Sequence, residues 1–331
     1  MSADVHTDSL EIQLRSAEKS EKVSILNELA EYCISEFPEK SLEYSKQALL
    51  LLDKSDKGFA EIYNSIGAAY ENLQDIDITI YYYNLALEFA IEEENIEEEA
   101  SALYSLGLVY DGLDKYRKSL EYYLNASNIY YELGKEDTYA NLLNNIGIIY
   151  ESLNIYDKAL EYYLNSYKRY EKINDKEGLA NSLNNMGNIY QTMKYYDRAL
   201  EYYNRSMGIY EEIDNESGIS SSYNNIGIIY HELKDYDKTL EYYQLSLEIA
   251  YKIEEKEGIA TSLNNIGIVY NDLKDYEKAL ENYLMSLETS IELNDNWAVA
   301  NTSINIGEMY IDQRDFIKGL DYLEKGVIIA E

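Results

Sequence analysis

An all-α chain, built as a solenoid of antiparallel helix pairs, is predicted by three observations. Seven glycines (Gly67, Gly107, Gly147, Gly187, Gly227, Gly267 and Gly307) recur every 40 residues without a slip. A tyrosine stands three positions after each, from Tyr70 to Tyr310, and an aliphatic residue thirteen after each, Ile80 and then Leu120 to Leu320. A single proline in 331 residues leaves almost nothing to interrupt helices. A fixed period of this length marks stacked supersecondary units, each burying its apolar face against the next.

Each module carries two helical patterns. Around Gly147 the first spans 139–153, with Leu143, Ile146, Gly147 and Tyr150 at helical spacing. The second spans 156–173, with Ala159, Leu160, Tyr163, Ser166 and Tyr170 on one face. Short polar turns join them, and Asp275 in Leu273-Lys274-Asp275-Tyr276 is an expected N-cap. Glycine inside a helix costs about 1 kcal/mol against alanine, so its regular recurrence implies a close approach of the second helix.

The run Leu143, Ile146-Gly147, Tyr150, Ala159, Tyr163, Ser166 resembles the tetratricopeptide repeat. The resemblance covers nearly the whole chain. It implies a right-handed superhelix of about eight units whose first helices line a concave groove. The period of 40 exceeds that repeat's usual 34. It resembles the long-helix variants of kinesin light chain, spindle-orientation adaptors and bacterial signalling proteins.

The module frame divides the chain into a lead-in or capping segment (1–19), a degenerate first repeat (20–57), and repeats over 58–97, 98–137, 138–177, 178–217, 218–257 and 258–297. A shortened repeat, 298–331, completes an array expected to have no internal domain boundary. In the degenerate repeat Leu29 replaces the glycine, and Pro38 suits the first turn of a second helix, where no amide donor is lost. The shortened last repeat leaves an uncapped face, which motivates an expectation that more chain follows or that copies associate there.

On the first helix, at 100° per residue, the positions six and two before the glycine, and one and five after it, face away from the core. The position two before reads Asn145, Asn185, Asn225, Asn265 and Asn305; the position six before adds Asn141, Asn181 and Asn301; the position one after adds Ile148, Asn188, Ile228 and Ile268. Amides both donate and accept, so such a file can pair with an extended peptide backbone, with the isoleucines supplying small apolar pockets. The competing assignment is inter-repeat packing. That assignment is preferred for the asparagines three before the glycine (Asn64, Asn144, Asn184, Asn224, Asn264), which point to the flank, because buried amides find partners. No lysine or arginine occupies the groove positions, so the carboxylate clamp of chaperone-binding tetratricopeptide domains is not expected.

Tyr122, Tyr162, Tyr202 and Tyr242 precede Tyr123, Tyr163, Tyr203 and Tyr243. The later members match the repeat's core aromatic; the earlier ones are expected to stack on the next repeat. Lys158–Glu161, Arg198–Glu201, Lys238–Glu241 and Lys278–Glu281 are expected i, i+3 pairs on exposed faces. The run Glu92 to Glu99 is expected to be a solvated acidic turn.

With 28 basic and 62 acidic residues, the net charge of −34 opposes nucleic acid and anionic membranes. No run is long enough to span a bilayer, and the opening residues lack a signal peptide's pattern. A cytoplasmic location is therefore expected, or an extracytoplasmic one if a leader has been removed. One cysteine and two histidines leave no thiolate cluster and little for a histidine metal site. Cys33 lies on an apolar stripe as a core thiol, and His231 beside Glu232 has no nucleophile converging on it. No catalytic residue, metal or cofactor is assigned. The expected function is non-enzymatic: a scaffold that binds a protein or peptide, basic or neutral rather than acidic. The alternatives are a sensor region of a larger bacterial signalling protein (histidine kinase, cyclase or phosphatase type) and a self-assembling array, a homo-oligomer through its uncapped end.

Overall fold

The computed structural model describes residues 2–53 and 55–330. Its described residues form seventeen helices and group into two compact stacks that divide between Arg169 and Tyr170, inside a helix. The first stack holds α1 (Ser2–Ser16), α2 (Lys19–Cys33), α3 (Pro38–Leu51), α4 (Phe59–Asn72), α5 (Ile76–Glu92), α6 (Ile96–Gly112), α7 (Tyr116–Glu132), α8 (Glu136–Ser152) and most of α9 (Tyr156–Ile173). The second holds α10 (Lys176–Thr192), α11 (Tyr196–Glu212), α12 (Glu216–Glu232), α13 (Tyr236–Lys252), α14 (Lys256–Asp272), α15 (Tyr276–Leu293), α16 (Asn296–Asp312) and α17 (Phe316–Ala330).

Twenty residues separate one turn from the next. Residues 74, 94, 114, 134 and so on to 314 all adopt positive φ, near 60°, and only Gly134 among them is glycine. At each turn the residue after the left-handed one returns its N–H to a carbonyl five residues back, as Asp235 does to Tyr230 at 2.9 Å. The next helix starts on a cap. Asp75, Asn95, Asp175, Asn215, Asp235, Asp275 and Asp295 each accept the amide three residues on, satisfying one of the free N–H groups of a helix start. Pro38 opens α3, as its missing N–H allows.

The recurrent glycines carry the packing within each pair. A Cβ on Gly67, Gly107, Gly147, Gly187, Gly227 or Gly267 would lie 2.4–2.6 Å from the ring of Tyr83, Tyr123, Tyr163, Tyr203, Tyr243 or Tyr283 respectively. Those rings are buried and fill the space the missing side chain leaves. The tyrosines just before them behave otherwise than expected. Tyr122, Tyr162, Tyr202 and Tyr242 stack on Tyr110, Tyr150, Tyr190 and Tyr230 of their own pair, not of the next. The cations of the expected i, i+3 pairs lie over rings of the first helix: Lys158, Arg198, Lys238 and Lys278 are 4.6–5.3 Å from the centroids of Tyr150, Tyr190, Tyr230 and Tyr270. Lys238 and Lys278 also pair with Asp235 and Asp275, three residues before them. A ring face offers a cation an attraction without stretching the side chain toward a glutamate.

At the N-terminal end, Leu10 of α1 packs against Ile25 and Leu29, and Tyr44 donates to Glu11 at 2.6 Å, so α1 covers the first pair. Cys33 is buried, and burial pushes its thiol up, which suits a packing role. Glu93, in the middle of the acidic run, is no solvated residue: its carboxylate accepts from Gly58 N at 3.1 Å and Phe59 N at 2.9 Å, capping α4 from outside. Among the described residues no helix is long and apolar enough to cross a membrane.

Candidate functional site: an amide-lined face and its open slot

Every module places its glycine helix first, and adjacent first helices touch: α2 with α4 and α4 with α6 in one stack, α12 with α14 and α14 with α16 in the other. Their outer faces form a continuous strip within each stack. Asn141, Asn181 and Ile148 are exposed on it, and Asn145, Asn185, Asn188, Asn225, Asn265, Asn301, Asn305, Ile228 and Ile268 are half-buried.

The amides are partly committed to the scaffold. Asn225, Asn265 and Asn305 donate from Nδ2 to the Oδ1 atoms of Asn184, Asn224 and Asn264 at 2.9, 2.8 and 2.9 Å. Asn145 reaches Tyr104 at 3.5 Å. The pairs of asparagines therefore clasp consecutive first helices, with the flank residue accepting as expected. One amide hydrogen each of Asn225, Asn265 and Asn305 is used for packing. Others also make contacts with the scaffold. Asn188 Oδ1 accepts from the Tyr203 hydroxyl at 2.8 Å, and Asn181 Oδ1 accepts from the Tyr210 hydroxyl at 2.5 Å. Ile228 packs against Tyr243, Ile266 and Val269, and Ile268 against Ala279, Tyr283, Ile306 and Met309.

The two stacks line this strip differently. In the first, Glu31, Glu61 and Glu98 stand on successive first helices. Burial pushes all three carboxyls up and neighbouring carboxylates add to it, while hydrogen bonds from Asn27 to Glu31 at 2.8 Å and from Asn64 to Glu98 at 2.6 Å oppose it. In the second, no charged residue lines the cavity that opens on the strip. That cavity, of about 250 Å³, is bounded by Ile228, Thr261, Asn265, Ser290, Trp297 and Asn301, among others. Three of the sequence-predicted residues, Ile228, Asn265 and Asn301, thus meet in one place.

Sequence reasoning missed Trp297 and Ser290. Trp297 is the chain's only tryptophan and is 76% exposed at the mouth. Ser290 lines the cavity where other pairs place a ring. Three earlier pairs carry a tyrosine at this register, Tyr130, Tyr170 and Tyr210, whereas the intervening pair has Ala250, 3.1 Å from a Cβ on Gly258. The Tyr170 ring lies 2.3 Å from a Cβ built on Gly178, and the Tyr210 ring 2.4 Å from one on Gly218. At Ser290 and Ala298 both members of that contact have changed, and the slot is empty of protein. The signal was readable in the sequence: the file of Tyr130, Tyr170 and Tyr210 ends, with Ala250 and then Ser290 in its place.

Models of the tetratricopeptide repeat match residues 138–212 and 218–292, and a second such model matches 100–130, together more than half the chain. The chain belongs to the tetratricopeptide-repeat family. No curated protein matches it in sequence. In fold it is similar to the apo form of RapI (TM-score 0.66, 19% identity, 82% of this chain and 97% of that one). It is also similar to aspartyl phosphate phosphatase F from Bacillus subtilis (0.66, 16%, 89% and 75%) and to NprR in complex with its cognate peptide NprX (0.60, 16%, 91% and 88%). At these identities the likeness is one of tetratricopeptide architecture.

Proposed function

We propose that the chain is a non-enzymatic binding scaffold that holds a peptide segment of a partner protein along the first-helix face of its second stack. The observation that carries this reading is the neutral cavity on that face, where Asn265 and Asn301 stand beside an exposed Trp297. Asn265 spends one N–H on Asn224; its remaining N–H and its oxygen can serve a peptide main chain. A tetratricopeptide neighbour solved with its cognate peptide supports the same use of the fold. The partner is basic or neutral, because a charge of −34 repels acidic segments over long range.

Selection from a random peptide library against the whole chain tests this. Binders whose affinity drops at least tenfold with Asn301→Ala support the reading, and absence of any binder defeats it. Turnover of acetyl phosphate or of a phospho-aspartyl response regulator, absent from a heat-denatured control, would overturn the non-enzymatic part.

A second reading, self-association, draws on α17. Its Ile317, Leu320 and Ile328 are 85%, 64% and 64% exposed, an apolar face of the kind that marks contact surfaces. Light scattering that stays at monomer mass over a hundredfold concentration range removes that reading.

A further inference from the structure

The slot beside Trp297 has a known occupant elsewhere in the same stack. At the Tyr210 position the chain fills this register with its own phenol. The ring lies over Gly218, and the hydroxyl donates to Asn181, six residues before Gly187. At the Ser290 position the corresponding residues are Ala298 and Thr261, and both line the cavity. The backbone frame is the same in both places. Asn215 N–H bonds Tyr210 O at 2.9 Å, and Asp295 N–H bonds Ser290 O at 3.1 Å. Asn215 caps Gly218 N at 2.8 Å, and Asp295 caps Ala298 N at 3.0 Å. What differs is the side chains: Ser290, Ala298 and Thr261 stand in place of Tyr210, Gly218 and Asn181.

We infer that the Ser290 slot is a binding pocket for an uncharged aromatic side chain, tyrosine or phenylalanine, presented by the peptide held on this face. This inference rests on the peptide-binding reading for its partner, and on the geometry of the slot for its specificity. About 250 Å³ lies below the roughly 300–1,000 Å³ of pockets for drug-sized ligands, so it suits one side chain. The rear wall has little polar capacity left. Ser290 donates to Ser286 O at 2.9 Å, Ser286 donates to Ala260 O at 2.8 Å, and Asn264 Oδ1 accepts from both Thr302 and Asn305. A charged group entering there would lose its hydration without a partner; a ring would not. The mouth is polar, with Thr261, Asn265 and Asn301 placed to meet a phenol hydroxyl or the peptide's main chain.

Ala298 sets where the ring lies. A Cβ at the matching Gly218 would stand 2.4 Å from Tyr210 Cδ1, so with Ala298 a guest ring cannot take Tyr210's place atom for atom. It is displaced outward, toward Trp297, where an aromatic pair contributes beyond the area it buries. The exposed indole and the methyl floor act together: one holds the guest, the other keeps it from seating as a permanent core residue.

Trp297 supplies its own readout, being the only tryptophan. Titration of the whole chain with p-cresol, with isopentanol as the aliphatic control, is read by Trp297 fluorescence. Saturable change with p-cresol at least fivefold tighter than with isopentanol supports the pocket. In Ser290→Tyr/Ala298→Gly, which restores the Tyr210–Gly218 pair, circular dichroism stays unchanged and the saturable response disappears. If that variant fails to fold, Trp297→Ala carries the test, with p-cresol contact read by ligand-observed saturation-transfer NMR; persistent saturation transfer overturns the pocket. Absence of saturable p-cresol binding, or equal response to isopentanol, also overturns it. In the peptide selection, binders without an aromatic requirement sink the aromatic specificity while leaving the peptide-binding reading standing. Saturable p-cresol binding with no peptide binder does the reverse.

Discussion

The contacts Tyr210–Gly218 and Ser290–Ala298 occupy one register of a single stack, two modules apart, under the same turn hydrogen bond and the same N-cap. One is closed by a buried ring; the other opens into a cavity beside an exposed indole. The difference shows how a regular array acquires a local site. The frame is set by turns and caps that do not depend on what lies in the slot, so a core aromatic can be given up without loss of the fold. What is lost is packing energy, and what appears is a shaped opening.

The comparison breaks most forcefully if the closed slot is opened. Tyr210→Ser removes a buried aromatic ring, and large-to-small aromatic changes in cores cost about 3–5 kcal/mol. The expected result is a denaturation midpoint lowered by that amount, with helical content retained. A loss under 1 kcal/mol would mean that the ring is not what holds α11 to α12. Filling a site that has no room tests the same logic from the other side. Gly227→Ala sets a methyl 2.5 Å from Tyr243 Cε1. Overpacking costs about 1–3 kcal/mol, against a helix-propensity gain of about 1 kcal/mol. Chemical denaturation should show net destabilisation, which a surface glycine such as Gly208, with nothing near its added Cβ, should not share.

Most of the fold was legible because the period is strict: seven glycines in register fix where every helix pair lies, and Tyr163 over Gly147 was implied by an otherwise costly glycine. The groove was legible only in outline. Helical angle put Asn225 and Asn265 on the open face, but could not show that consecutive first helices stand close enough for Asn225 to reach Asn184. Nor could an angle show that Asn188 accepts from the Tyr203 hydroxyl of the paired helix. The cations over Tyr150, Tyr190, Tyr230 and Tyr270 were misassigned because i, i+3 spacing sees only one helix, whereas the ring comes from the other. Ser290 and Trp297 escaped because attention to what repeats passes over what stops repeating.

The two clasps sharpen the comparison with a smaller effect. Asn225→Ala and Asn265→Ala each remove one inter-helix hydrogen bond, about 0.5–1.5 kcal/mol, and regain up to about 0.7 kcal/mol of helix propensity. Their melting temperatures should therefore fall by similar, small amounts. Only Asn265 lines the open slot, so only Asn265→Ala should weaken a selected peptide. Equal losses of binding would shift recognition away from the slot and onto the strip at large.

The smallest effect tests whether the frame is truly common to both slots. Asp214 and Asn294 turn the chain beneath Tyr210 and Ser290 with φ of 54° and 57°. A side chain in that left-handed region costs about 1–2 kcal/mol, and asparagine tolerates it better than most residues. Asp214→Gly should therefore stabilise by up to about 1 kcal/mol, and Asn294→Gly by less, each seen as a shift in urea midpoint at constant slope. A gain at the closed slot paired with a loss at the open one would mean that the Ser290 turn is held by contacts absent from the Tyr210 turn. The cavity would then owe its shape to a local distortion of the backbone, and not to the missing ring alone.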